Sequence, residues 1–267
     1  IRTLAVIGPN ADNVYNMLGD YTAPQADGTV VTVLDGIRQK VSKETRVLYA
    51  KGCAVRDSSR TGFKDAIETA RNADAVVMVM GGSSARDFSS EYEETGAAKV
   101  TINQISDMES GEGYDRATLH LMGRQLELLE EISRLGKPVV LVLIKGRPLL
   151  MEGAIQEAEA IVDAWYPGMQ GGNAVADVLF GDYNPAGRLT LSVPRSVGQL
   201  PVYYNTRRKG NRSRYVEEPG TPRYPFGYGL SYTTFSYTDM KVQVTEGSEA
   251  FGFCLPALSS ELLPAAA

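Results

Sequence analysis

Residues 137–146 read KPVVLVLIKG. A lysine and a proline open the stretch, a lysine and a glycine close it, and everything between is Val, Leu or Ile. A run this short, without polar alternation, reads as a strand covered on both faces. Runs of the same kind recur as TLAVIG (3–8), RVLYAKG (46–52), ADAVVMVMGG (73–82) and EAIVDAWYPG (159–168). Strands buried on both sides imply a mostly parallel sheet.

The segments between these runs carry helical periodicity: VLDGIRQKV (33–41), FKDAIETARNA (63–73), LMGRQLELLEEISRLG (121–136) and GGNAVADVLFG (171–181). In the third, Leu126, Leu129 and Ile132 share one face, and Gly136 before Lys137-Pro138 is a stop signal. Helices alternating with buried strands predict an α/β sandwich, a mostly parallel sheet with helices on both faces, over residues 1–200. Two long insertions, 13–27 and 83–113, break the alternation, and such loops in a compact domain tend to carry function. The second should gather on one edge of the sheet. After residue 185 the chain turns to short strands and turns, with aromatics crowded into RYPFGYGLSYTTFSY (223–237). Residues 201–247 read as a short β/coil connector. Residues 248–267 have neither periodicity nor charge pattern, and are left outside the fold argument as an atypical tail.

Composition narrows the function. With 43% hydrophobic and 22% charged residues the 267-residue chain is an ordinary globular one. A net charge of −5 argues against a nucleic-acid partner, which needs a concentrated cationic face. No apolar run approaches the length that spans a bilayer, so no membrane partner is expected. Cys53 and Cys254 lack metal-ligand spacing and His120 is the only histidine, so neither a metal nor a cofactor is implied. The first residue is Ile1, which leads us to expect that a signal peptide or an upstream domain has been removed.

The stretch richest in chemistry is MESGEGYDRATL (108–119). Gly111 and Gly113 free the backbone on either side of Glu112, so its carboxyl group can be presented from a loop. That suits a general acid, which near neutral pH needs its pKa raised by burial or by like charges such as Glu109, Asp107 and Asp115. An acidic loop that is merely solvated is the competing reading.

Several blocks then carry a resemblance. SGEGYDR, the helix containing Gln125, VVLVLIKGRPL, AWYPGMQGGNAVADVLFGDYNPAGRLTLSVPRSVGQLPVYYN and FGYGLSYTTF occur in an order similar to that of family 3 glycoside hydrolases of the β-glucosidase and β-xylosidase type. The match runs from about Thr3 to Val244. The resemblance implies the C-terminal α/β domain of a retaining, exo-acting β-glycosidase that removes terminal non-reducing β-D-glycosyl residues. It implies a substrate that is an oligosaccharide or β-glycoside, an N-terminal barrel domain bearing an aspartate nucleophile, and a connector leading toward a fibronectin-III-like domain, neither domain lying in this chain. In relatives with the SGEGY block the acid/base is the glutamate between the glycines, which maps onto Glu112, with Glu109 as the reserve. A periplasmic or secreted location is the family expectation. The alternative reading is a carbohydrate-binding or scaffolding module that packs on a partner barrel and is inactive alone.

Other residues are weighed on both sides. Arg86, Asp87 and Tyr92 follow a strand at its carboxyl end, where open α/β sheets bind ligands, and are candidates for the leaving-group side of the pocket or simply part of a polar loop. Asp115-Arg116 suits sugar hydroxyls or, more commonly, an ion pair that pins the loop. Gly8-Pro9-Asn10 resembles a phosphate loop only superficially. Trp165 and Tyr166 are expected to pack rather than stack on a sugar, and Gly171-Gly172 to allow close helix packing or to bind an anion.

Overall fold

In a computed structural model of the chain, which describes residues 1–85, 93–95, 107–205 and 215–236 and the backbone of Ser259–Leu262, the five apolar runs form one parallel sheet. Its strands are β1 (Thr3–Ile7), β2 (Arg46–Ala50), β3 (Ala75–Gly81), β4 (Val139–Ile144) and β5 (Ala160–Asp163), in the order β2-β1-β3-β4-β5. In β4, Leu141 and Leu143 face one core and Val142 and Ile144 the other. A strand with two buried faces has no place for a polar residue, which is why its sequence shows no alternation. The edge strands are different: β2 and β5 are only partly buried, so the expectation of full cover holds for the three inner strands.

Helices cover both faces. On one lie α1 (Val33–Lys40) and α5 (Gly171–Leu179), packed on Leu4, Val6, Val77, Val79, Val142 and Ile144. On the other lie α2 (Phe63–Arg71), α3 (Gln125–Ser133) and α4 (Glu152–Glu157), over Ala5, Ile7, Met78, Met80, Leu141 and Leu143. The third periodic segment becomes helical only from Gln125, because Gly123 takes φ +62° against the backbone of residues 55–57. Its buried face is Gln125, Leu128, Leu129 and Ile132, with Leu126 half-buried beside it. The short helix α4 has no counterpart among the sequence-read helices; Ala154 is its one buried residue.

Gly171-Gly172 proves to be a helix-packing device. A Cβ on Gly172 would stand 1.9 Å from the Thr32 carbonyl oxygen, and one on Gly36 of α1 would stand 2.1 Å from the Gly172 carbonyl oxygen. The two helices therefore meet backbone to backbone. Because the obstacle is main chain and cannot rotate away, Gly172→Ala is expected to lose about 3 kcal/mol, the upper end for overpacking. Gly187→Ala, which meets open space, should leave the urea midpoint where it is. Equal midpoints for the two variants would refute the close approach.

The tail contributes more than its sequence promised. Strand β6 (Thr233–Ser236) pairs antiparallel with β7 (Ser259–Leu262), which lies within the stretch left outside the fold argument. An unpaired β6 would expose a row of backbone donors and acceptors, and β7 satisfies one side of it.

Candidate active site

All carboxyl ends of the sheet lie on one edge, and in an open α/β sheet the ligand crevice falls there, at the point where strand order reverses. Here that point is between β1 and β3. It is filled by a buried amide network. Asn10 donates to the carbonyls of Gly82 (2.9 Å) and Ile144 (3.2 Å), Asn16 donates to Asn10 Oδ1 (2.7 Å), and Ser83 Oγ donates to Asn16 Oδ1 (2.7 Å). Gly8-Pro9-Asn10 therefore ties β1 to the ends of β3 and β4. Nothing in the local sequence pattern announces this tie. Gln125 works similarly from α3: its Oε1 accepts the Gly81 N–H at 2.8 Å and its Nε2 donates to the Gly81 carbonyl at 2.9 Å.

With the crevice closed, the candidate groups stand above it on loops. The second insertion returns to the end of β3, where the N–H groups of Glu109 and Ser110 donate to the Ser83 carbonyl at 2.7 and 3.2 Å. Its root is clamped on a second side, since Asp107 accepts the N–H groups of Val55 (3.1 Å) and Arg56 (3.3 Å) and Arg56 Nη1 donates to the Met108 carbonyl at 2.7 Å. The described part of this loop thus lies on the carboxyl edge, as expected.

From that root the two glutamates part company. Glu109 is 2% exposed and its Oε2 accepts Arg116 Nη1 at 2.5 Å, with Arg147 Nε 3.8 Å away. It lies against Gly82, where a Cβ would come 2.0 Å from its Oε1. Arg116 also donates to the His120 carbonyl. The loop-pinning ion pair foreseen for Asp115-Arg116 exists, but the acid in it is Glu109; Asp115 is exposed.

Glu112 stands at the exposed tip, between Gly111 at φ +106° and Gly113 at φ +81°. Both values lie in the region that favours glycine, which is the freedom the sequence pattern announced. Its Oε2 accepts the Tyr21 hydroxyl, and its N–H donates to Asp20 Oδ2 at 3.3 Å. Asp20 and Tyr21 come from the first insertion, so the two long loops meet at this carboxyl group. Neither residue was singled out from the sequence. Arg86, Asp87 and Tyr92 lie outside the described residues.

The neighbouring polar groups are engaged within the domain. Tyr166 packs its ring on Gly19 and Gly146, and its hydroxyl lies 3.0 Å from Ser110 Oγ. Burial raises its pKa, partly opposed by the Ser110 hydrogen bond. Trp165 adopts φ +54° and places its ring centre 3.8 Å from the ammonium of Lys145, which pairs with Asp163 Oδ1 at 2.8 Å. Burial pushes the Lys145 pKa down, and Asp163 opposes that shift. The Cys53 thiol is buried and pushed up to about 12, chiefly by burial, which removes it as a nucleophile at neutral pH. Among the described residues no three His, Cys, Asp or Glu side chains gather in a way that would hold a metal ion, and no helix is long and apolar enough to cross a membrane.

Fold and site together define a doubly wound α/β domain whose loops hold Glu112 out at the carboxyl edge of the sheet. The chain belongs to glycoside hydrolase family 3: its residues 1–232 match the model of the glycosyl hydrolase family 3 C-terminal domain. It is 42% identical over 254 residues to a β-xylosidase of Formosa agariphila, covering 92% of this chain and 32% of that protein. It is 38% identical over 268 residues to a periplasmic β-glucosidase of Salmonella typhimurium, covering 89% of this chain and 32% of that one. A β-glucosidase structure from Erythrobacter marinus superposes with a TM-score of 0.74 at 36% identity, over 91% of this chain and 33% of its own. A β-glucosidase from Listeria innocua in complex with isofagomine gives 0.70 at 30% identity, over 91% and 31%. The chain thus spans about a third of the length of the relatives it matches.

Proposed function

We propose that this chain supplies the general acid/base of a retaining, exo-acting β-glycosidase that acts on terminal β-D-glucosyl or β-D-xylosyl residues, and that Glu112 is that group. The observation that carries the reading is the contrast between the two glutamates: Glu112 is exposed at a loop tip on the carboxyl edge, while Glu109 is buried in an ion pair with Arg116. The identity to proteins named β-xylosidase and β-glucosidase supports the substrate class.

In this mechanism an aspartate on a barrel domain outside the chain attacks the anomeric carbon while Glu112 protonates the departing glycosidic oxygen. Water then enters, Glu112 takes its proton, and the glycosyl-enzyme is hydrolysed with net retention. Residues 1–200 act as the α/β domain, 201–247 as a connector, and Arg86, Asp87 and Tyr92 line the leaving-group side. A periplasmic or secreted setting is supported by the Salmonella relative's name.

Alone, the chain should act as a scaffold without turnover. Retaining hydrolysis needs two carboxyl groups about 5–5.5 Å apart, and acid assistance by itself gives about 10²- to 10⁴-fold, far short of what glycosidic cleavage requires. The purified chain incubated with nitrophenyl β-glucoside and β-xyloside is therefore expected to release no nitrophenol above background, whereas the full-length protein hydrolyses them with retention by NMR. Turnover by the isolated chain that vanished in Glu112→Gln would overturn the two-domain account.

A further inference from the structure

Resting on the assignment of Glu112, we propose that Tyr21 is a positioning residue for the acid/base: its hydroxyl donates to Glu112 Oε2, so that the proton destined for the leaving group is carried on Oε1.

Three features converge on this contact. First, Tyr21 holds φ +58°, a left-handed backbone that a bulky side chain rarely adopts and that persists where the surroundings over-determine it. Second, Asp20 does the determining. Its Oδ1 accepts the Tyr21 N–H at 2.8 Å and its Oδ2 accepts the Glu112 N–H at 3.3 Å, so one carboxylate fixes the backbone of both partners. Third, the approach of Asp20 depends on Gly111, where a Cβ would stand 2.7 Å from Asp20 Oδ2. Yet Tyr21 is 77% exposed and contributes little to the core. Packing gives no reason for the strained backbone, whereas delivery of a hydroxyl to a loop tip from another insertion does.

The chemistry follows from the direction of the bond. A hydroxyl that donates to one carboxyl oxygen leaves the other to carry the proton, so Tyr21 fixes which oxygen faces the departing glycosidic oxygen. Removing the donor lets the carboxyl group turn about its broad terminal torsion. The loss then falls on substrates whose leaving group needs the proton.

The test is Tyr21→Phe in the full-length protein, with kcat/KM compared between a β-linked disaccharide and a dinitrophenyl β-glycoside. We expect the disaccharide value to fall about tenfold, the scale of one hydrogen bond to a charged group, and the dinitrophenyl value to change little. Asp20→Ala, which releases Tyr21 from its left-handed backbone, should act in the same way, with the urea midpoint of Tyr21→Phe unchanged. Disaccharide values equal to wild type in both variants, while Glu112→Gln abolishes disaccharide hydrolysis, would overturn the role of Tyr21 and leave Glu112 standing. Full disaccharide hydrolysis by Glu112→Gln would instead remove the acid/base assignment itself, and this proposal with it.

Discussion

Glu112→Ala in the full-length protein is expected to slow hydrolysis of a β-linked disaccharide by about 10²- to 10⁴-fold, the usual worth of a positioned proton donor. The size of the loss should depend on the leaving group. A sugar alkoxide is a poor leaving group and needs the proton, whereas an activated aryl oxide departs without it, so glycosylation from dinitrophenyl glycosides should slow far less. The second step then limits turnover, because water has lost its base. Azide, which needs no deprotonation, should restore turnover and yield the β-glycosyl azide. A disaccharide rate within a few-fold of wild type in Glu112→Ala, alongside a dead Glu109→Ala that still folds, would move the role to Glu109.

The second large effect is on stability. Arg116→Ala leaves the Glu109 carboxylate buried without its main partner, and breaking a buried pair from one side costs about 3–5 kcal/mol. Arg147, at 3.8 Å from the same oxygen, offers only partial relief. Replacing both partners with apolar residues of similar size, Glu109→Leu with Arg116→Met, should recover much of the loss, since no charge is then stranded. Urea unfolding of the single and double variants measures this coupling directly. A Glu109→Gln protein as stable as wild type yet catalytically dead would show that the pair exists for chemistry and not for the loop.

The sheet was legible because burial on both faces writes a plain signal into β1, β3 and β4, and the helices between them keep their 3.6-residue period. The helix α4 was not, since six residues with a single buried alanine carry too little pattern. At the site, the glycines around Glu112 advertise a free backbone locally, and the resemblance of the family blocks is what suggests the role proposed for it. Asp20 and Tyr21 lie more than ninety positions from their partner, and no local rule links residues across that distance. Gln125 left a fainter trace, a polar residue on the core face of α3, whereas Asn10 follows Gly8-Pro9 in a turn, where a polar residue is ordinary. Both cap backbone groups that the strand ends would otherwise bury unpaired.

The loop that bears Glu112 behaves mechanically as a beam held at both ends. Its root is clamped at Asp107, Glu109 and Ser110 to three separate parts of the domain, and its exposed tip is propped by Asp20 and Tyr21 of the first insertion. A propped tip resists the deflection that a free one would allow, so the carboxyl group keeps its station although it stands in solvent. Because the prop is a separate segment of chain, a change in the first insertion alone can advance or withdraw the carboxyl group while the anchorage beneath it stays the same.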